Sequence, residues 1–255
     1  MKITVISQWY NEELLAPLFF NHYRYADEIV ILLENDTNNS TREICRQYFL
    51  QGCNITLWDV HCLDGFDDTD KTKNINRSIS SVKEGWIYVV DADEFIFPEW
   101  HEDPQTFLAR QTEDIVMALN FHVYRHITEK DIDYTKDPVP QRVHAYGRGK
   151  NFKDYFIKPS VFRASAKVAL TIGNHGYVGE HSISTERYIG AHWKQADLEL
   201  CVRRRLSNGK RQSKANHRKG YGNHDYHITE ERLKVQLEMN SNLPELKCFT
   251  ERKEV

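Results

Sequence analysis

In the segment WIYVVDADEFIFPEW, residues 86–100, five apolar or aromatic residues run straight into Asp91, Ala92, Asp93 and Glu94. Ionised carboxylates at the end of a buried strand are costly unless a cation meets them. In extended backbone, residues i and i+2 point to one side, so Asp91 and Asp93 are expected to face one spot. Two carboxylates so placed suit a hard divalent cation, Mg2+ or Mn2+, of the kind that also takes phosphate oxygens. A strand-end turn with solvated acids would use the same residue types. The apolar run before them favours the metal.

The elements around this segment alternate. Strands are expected at Lys2–Ser7, Glu28–Leu33, Asn54–Val60 and Trp86–Val90, with helices at Glu12–Tyr23, from Ser40 to about Leu50, and at Thr69–Lys83. Ser40–Glu43 has capping-box form. Such alternation argues for an α/β fold with a mainly parallel sheet covered on both faces. Ligands of such sheets bind beyond the carboxyl ends of the strands. Four polar segments fall there: Gln8–Glu12, Glu34–Asn39, His61–Asp70 and Asp91–Glu94. The second half is less regular. Strands are expected at Asp114–Val123, Asp154–Arg163 and Arg187–Ala191, and helices at Ala196–Leu206 and near Thr229–Met239. A long polar loop, Thr128–Asn151, separates the first two of these strands.

The 255 residues suit one large domain or a domain with an elaborated end. Lys and Arg number 34 against 37 Asp and Glu, a formal charge of −3 that gives no whole-chain pull toward nucleic acid. Five scattered cysteines without a CxxC pair suggest neither a disulfide framework nor a cysteine zinc site. The opening MKITVIS does not read as a secretory signal, and no apolar stretch is long enough to span a bilayer. A cytoplasmic location, at most at the inner face of a membrane, is the expectation.

The ordered set of segments resembles the family 2 nucleotide-sugar glycosyltransferases of the GT-A fold, specifically those with a DADEF-type metal motif. Its pieces are Asn11–Glu12 after the first strand, ENDTNNST after the second, TKNINRSISSVKEGW before the metal strand, DADEFIFP, KPSVFR, GNHG, and AHWKQADLELCVRRRLSNG. The resemblance reaches to about Gly209. It implies a Rossmann-like GT-A domain over 1–210 and a basic helical extension over 211–255. It further implies inverting transfer from a UDP- or GDP-sugar donor to a hydroxyl of a glycan or lipid-linked acceptor.

The resemblance also implies roles for single residues. Asp93 is the first metal ligand, with Asp91 on the metal or the ribose and His192 as a late histidine ligand. Gln8 and Glu12 lie where the base is held, and Asn35 and Asp36 where base or ribose is held. Lys73 and Asn76 stand near the diphosphate or donor sugar, and Lys158, with Arg163, faces the same region. No clean ED pair supplies the base, so His175 is the first choice and Glu180 the second. His175 is alternatively an extra metal ligand. Each of these residues also suits a plain structural or solvated role. The loop YGRGKNFK, residues 146–153, offers Arg148 and Lys150 to a lid over diphosphate. The basic run at 202–219 suits an anionic acceptor or a membrane surface, and NHDYH at 223–227 reads as a loop. Two further readings stand beside this one: a metal-dependent phosphoesterase using the same acids, and a non-catalytic nucleotide-binding module.

Overall fold

In the first half, β1 (Ile3–Trp9), α1 (Ala16–Tyr23), β2 (Glu28–Glu34), α2 (Asn39–Leu50), β3 (Ile55–Val60), α3 (Asp68–Ser81) and β4 (Trp86–Val89) follow one another. The computed structural model describes residues 1–62, 65–144, 156–221 and 228–239, and single positions 241, 243, 245 and 249. The first four strands pair in parallel in the order β3-β2-β1-β4. Every residue of β1 is buried, as a central strand with both faces covered must be.

The helix starts differ from the sequence expectation for local reasons. The carbonyl of Glu12 accepts from the N–H groups of Leu15 and Ala16, so a turn precedes α1. Pro17 then sits in the first helical turn, where its missing N–H costs nothing. The cap of α2 is Asn38, whose side chain accepts from Thr41 N at 2.9 Å. Its own N–H donates to Asn11 Oδ1 at 2.7 Å, which ties the end of β1 to the start of α2.

After β4 the chain turns, with Glu94 N–H donating to the Asp91 carbonyl at 3.0 Å. It returns at once as β5 (Glu94–Pro98). Phe95–Phe97 thus lie in an edge strand. Then come α4 (Pro104–Ala109), β6 (Ile115–Tyr124), β7 (Phe156–Arg163), the short pair β8 (Ala169–Leu170) and β9 (Tyr177–Val178), and β10 (Tyr188–Gln195). Helices α5 (Leu198–Arg211), α6 (Lys214–Lys219) and α7 (Glu230–Met239) complete the described elements.

The large sheet continues from β4 as β7-β6-β10-β5. β7 runs antiparallel to both β4 and β6, β10 parallel to β6, and β5 antiparallel to β10. This return pairs His192 with Glu94 on one side and with His122 on the other. Tyr23 holds β5 from behind, donating to the Glu94 carbonyl at 2.7 Å and accepting from Ile96 N at 3.0 Å.

Residues past Arg211 are tied to the start of α3. Ser213 Oγ donates to Asp67 Oδ2 at 3.0 Å, and Asn216 Nδ2 to Asp68 Oδ2 at 3.0 Å. Phe249 is buried beside Phe97 and Phe121. The basic glycine loop at 146–153 and the NHDYH segment lie outside the described residues.

The return of β10 depends on Gly190, which stands opposite Asn120. A Cβ there would collide with the fully buried Asn120 side chain. Gly190→Ala should therefore destabilise the fold by about 1–3 kcal/mol. At about 2–4 °C per kcal/mol, thermal denaturation reads this directly. An unchanged melting temperature would mean that Asn120 yields freely.

Candidate active site

A cavity of about 950 Å³ lies beyond the carboxyl ends of β1, β2 and β4, closed on one side by α5. The turn after β4 parts the two aspartates that extended backbone would have aimed at one spot. Asp91 Oδ1 accepts from Lys71 at 2.5 Å and Oδ2 from Lys158 at 3.3 Å. Lys158 also donates to Glu94 Oε1 at 2.5 Å, and Glu94 Oε2 accepts from the Asp91 N–H at 3.1 Å. Glu94 thus shapes the turn and anchors a buried lysine. Burial disfavours the charged Asp91, but the Lys71 and Lys158 ammonium groups outweigh it and hold the carboxyl below its ordinary range. Burial likewise opposes the Lys158 charge, and Glu94 and Asp91 outweigh it, raising its pKa.

Asp93 faces the other way. Its Oδ2 lies 3.2 Å from His192 Nε2 and also receives Arg204. Arg204 reaches on to Glu12 Oε1 at 2.9 Å. Burial works against the Asp93 charge, yet Arg204 and His192 keep its pKa well below the carboxylate range. Glu12 keeps a raised pKa, because burial outweighs what Arg204 supplies. Behind His192, its Nδ1 lies 2.9 Å from His122 Nδ1. Burial, then the neighbouring His192 and Lys194, push His122 down to about 3, so its ring is neutral near pH 7.

At the β2 side, Gln8 Nε2 donates to Glu34 Oε1 at 3.2 Å, and Arg211 donates to Glu34 Oε2. The Arg211 guanidinium lies over Tyr10, 3.3 Å from the ring centroid, and 5.7 Å from that of Phe66. Burial pushes Arg211 down to about 10. Asn35 and Asp36 line a smaller cavity of about 200 Å³ beside Tyr10 and Arg211. Asn35 Oδ1 accepts from Cys62 N at 3.0 Å.

Gln8, Glu12, Asp91, Asp93, Lys158, His175 and His192 are therefore brought to the main cavity. The His175 ring packs edge-on against Phe156. Burial, then the Lys158 charge, lower its pKa. Other expected residues are placed elsewhere. Lys73 is exposed and paired with Asp70. Asn76 donates to the Leu170 carbonyl at 3.0 Å and accepts its N–H at 2.8 Å, joining α3 to β8. Glu180 is exposed and outside the residues lining the cavity. Arg163 lies at the far end of β7, over Trp86 at the start of β4.

Lys71, Arg204, Arg211, Tyr10, Phe66 and His122 line the cavity without having been singled out from sequence. One signal was present. Positions 204 and 211 are two helical turns apart, so both arginines share a face of α5.

The chain belongs to glycosyl transferase family 2, whose sequence profile matches residues 4–168. With its curled, largely parallel sheet, it is a nucleotide-sugar glycosyltransferase of the GT-A fold. That sets the phosphoesterase alternative aside. No curated protein matches the chain in sequence. Among solved structures it is similar to S. aureus TarS 1–349 in complex with UDP-GlcNAc, at 13% identity over 95% of this chain and 72% of that one, TM-score 0.45. The full TarS structure gives 13% identity over 93% and 43%, TM-score 0.42. Glucosyl-3-phosphoglycerate synthase from Mycobacterium tuberculosis, in complex with Mn2+, UDP and phosphoglyceric acid, gives 14% identity over 48% and 43%, TM-score 0.31.

The lysine between Asp91 and Glu94 is the most demanding element of the site, with its side chain only 5% exposed. Lys158→Met should cost about 3–5 kcal/mol, because it strands a buried carboxylate. Urea denaturation at pH 7 measures this. A change within experimental error would show that Lys71 alone suffices.

Proposed function

We propose that the chain is an inverting glycosyltransferase that needs a divalent cation, Mg2+ or Mn2+, and takes a UDP- or GDP-sugar donor. The acceptor is a hydroxyl of a glycan or of a lipid-linked glycan. The observation that carries the metal reading is the 3.2 Å between Asp93 Oδ2 and His192 Nε2. Adjacent ligands of an octahedral ion with bonds near 2.1 Å stand about 3 Å apart, so this pair fits such an ion. Mg2+ and Mn2+ are commonly held by few protein ligands and completed by phosphate oxygens and water. Asp91 is left out of the ligand set, because its carboxylate faces Lys71 and Lys158, away from the Asp93–His192 pair. Bound to Asp93 and His192, the ion would offset the charge that develops on the departing diphosphate.

The protein's own groups do the rest. Arg204 shares Asp93 Oδ2, and it would pass to the diphosphate when the ion takes that oxygen. Lys71 and Lys158 add positive charge at the same turn. The face of Tyr10, with Phe66 across from it, is a platform for the nucleobase that Arg211 now covers. Gln8 and Glu34 meet the base edge, and Asn35 and Asp36 lie toward the ribose. His175 takes the acceptor proton, its lowered pKa leaving it neutral and able to accept at pH 7. Past Arg211, α6 and α7 are the described helices of an extension to the same domain, and the basic run at 202–219 approaches an anionic acceptor or membrane surface. No helix among the described residues is long and apolar enough to cross a membrane.

In thermal-shift titrations, Mn2+ and UDP or GDP together should raise the melting temperature more than either does alone, and Asp93→Ala should remove the gain. No joint gain would remove the metal from the reading. Nucleotide binding without transfer across a broad acceptor screen would favour a non-catalytic module instead.

A base must be neutral to act, so kcat/KM should fall as pH drops through a value below the ordinary histidine pKa of about 6.5. His175→Gln should lose about 10²–10⁴-fold in rate together with that acid limb. An acid limb that persists in His175→Gln would place the base elsewhere.

A further inference from the structure

We propose that His122 is a positioning residue for the divalent cation: it accepts the hydrogen bond that decides which nitrogen of His192 is offered beside Asp93. The inference rests on the reading of Asp93 and His192 as metal ligands. Nothing in the sequence marks His122, which lies in an apolar strand.

His122 and His192 stand directly opposite each other on the paired parallel strands β6 and β10. Their Nδ1 atoms are 2.9 Å apart, and His192 Nε2 is 3.2 Å from Asp93 Oδ2. Two ring nitrogens at hydrogen-bond distance share one proton, so one donates and the other accepts. A metal-ligating imidazole needs a free lone pair on the ligating nitrogen, and its proton then sits on the other. With no ion between His192 Nε2 and Asp93, Nε2 carries that proton and donates to the Asp93 carboxylate at 3.2 Å. With an ion seated there, the proton belongs on Nδ1. Nδ1 of His122 is the acceptor that receives it, and His122 keeps its own proton on Nε2.

Phe156 packs against both rings, its centroid 5.4 Å from each. The pair is thereby held against rotation as well as in one tautomer. Without the acceptor, the proton of His192 has no reason to stay on Nδ1. Moved to Nε2, it would occupy the lone pair that faces the ion.

The test compares two amide substitutions. In His122→Asn the amide oxygen falls near the position of Nδ1. In His122→Gln it falls near Nε2, too far out to serve. Mn2+ binding to the full chain, followed by electron paramagnetic resonance with saturating UDP or GDP, should weaken roughly 10–100-fold in His122→Gln and in His122→Leu. His122→Asn should recover most of the loss. Pulsed resonance should report one directly bound nitrogen in the wild type, lost in His192→Ala and kept in His122→Asn. Equal Mn2+ affinity in wild type and His122→Gln would overturn the proposal. So would two bound nitrogens of which one disappears with His122, since His122 would then be a ligand itself. Wild-type Mn2+ binding that is indifferent to Asp93→Ala would bring down the metal reading as well.

Discussion

Buried carboxylates at the ends of parallel strands need cations, and the chain draws them from three distant elements. Glu12 follows β1, Glu34 ends β2, and Asp91, Asp93 and Glu94 follow β4. Lys71 comes from α3, Lys158 from β7, and Arg204 and Arg211 from α5. Desolvating a charged group costs several kcal/mol even after relaxation, and only a close partner offsets it. The docking of α5 over the strand ends follows from that balance. One face of the helix carries two guanidinium groups, and the acids just past β1, at the end of β2 and in the turn after β4 are what they reach.

The same balance orders the far half of the sheet. The turn after β4 exists because Glu94 folds back onto Asp91 and Lys158 ties both acids to β7. The reversal makes β5, and β5 needs β10 beside it. β10 in turn sets His192 against Asp93 and His122 against His192. Acid turn, edge strand and histidine pair are thus joined through neighbouring strand pairings. A site assembled this way is rich in cations that already face inward, and an anionic ligand can exchange partners with them without drawing new charge from solvent.

The sequence was informative where periodicity and chemistry coincide. The alternation of β1 to β4 with α1 to α3 was legible because each segment is long and regular, and DADE stood out as acids after an apolar run. Sequence is silent where one residue decides a direction. Extended backbone through Asp91–Asp93 would aim both carboxylates at one spot, but a turn there sends them to different partners. Lys73 and Lys71 are two residues apart on α3, which is about 200° around a helix. Only one of them can face the strand ends, and burial rather than composition settles which. Asn76 looks equally suited to a ligand and to the backbone of Leu170, and packing of α3 on β8 gave it to the backbone.

By itself the sequence determined the order of elements through β4, the parallel first half of the sheet and the family to which the chain belongs, since these depend on local periodicity and on residues near one another in the chain. Only the tertiary structure decided the company of those acids. Arg204 lies 111 residues from Asp93, and His122 lies 70 from His192. Contacts at that separation are chosen by the antiparallel return of β5 and β10 and by the desolvation of the acids, which no window of sequence records. The apolar run into DADE announced that cations must come, and the folded sheet determined which ones.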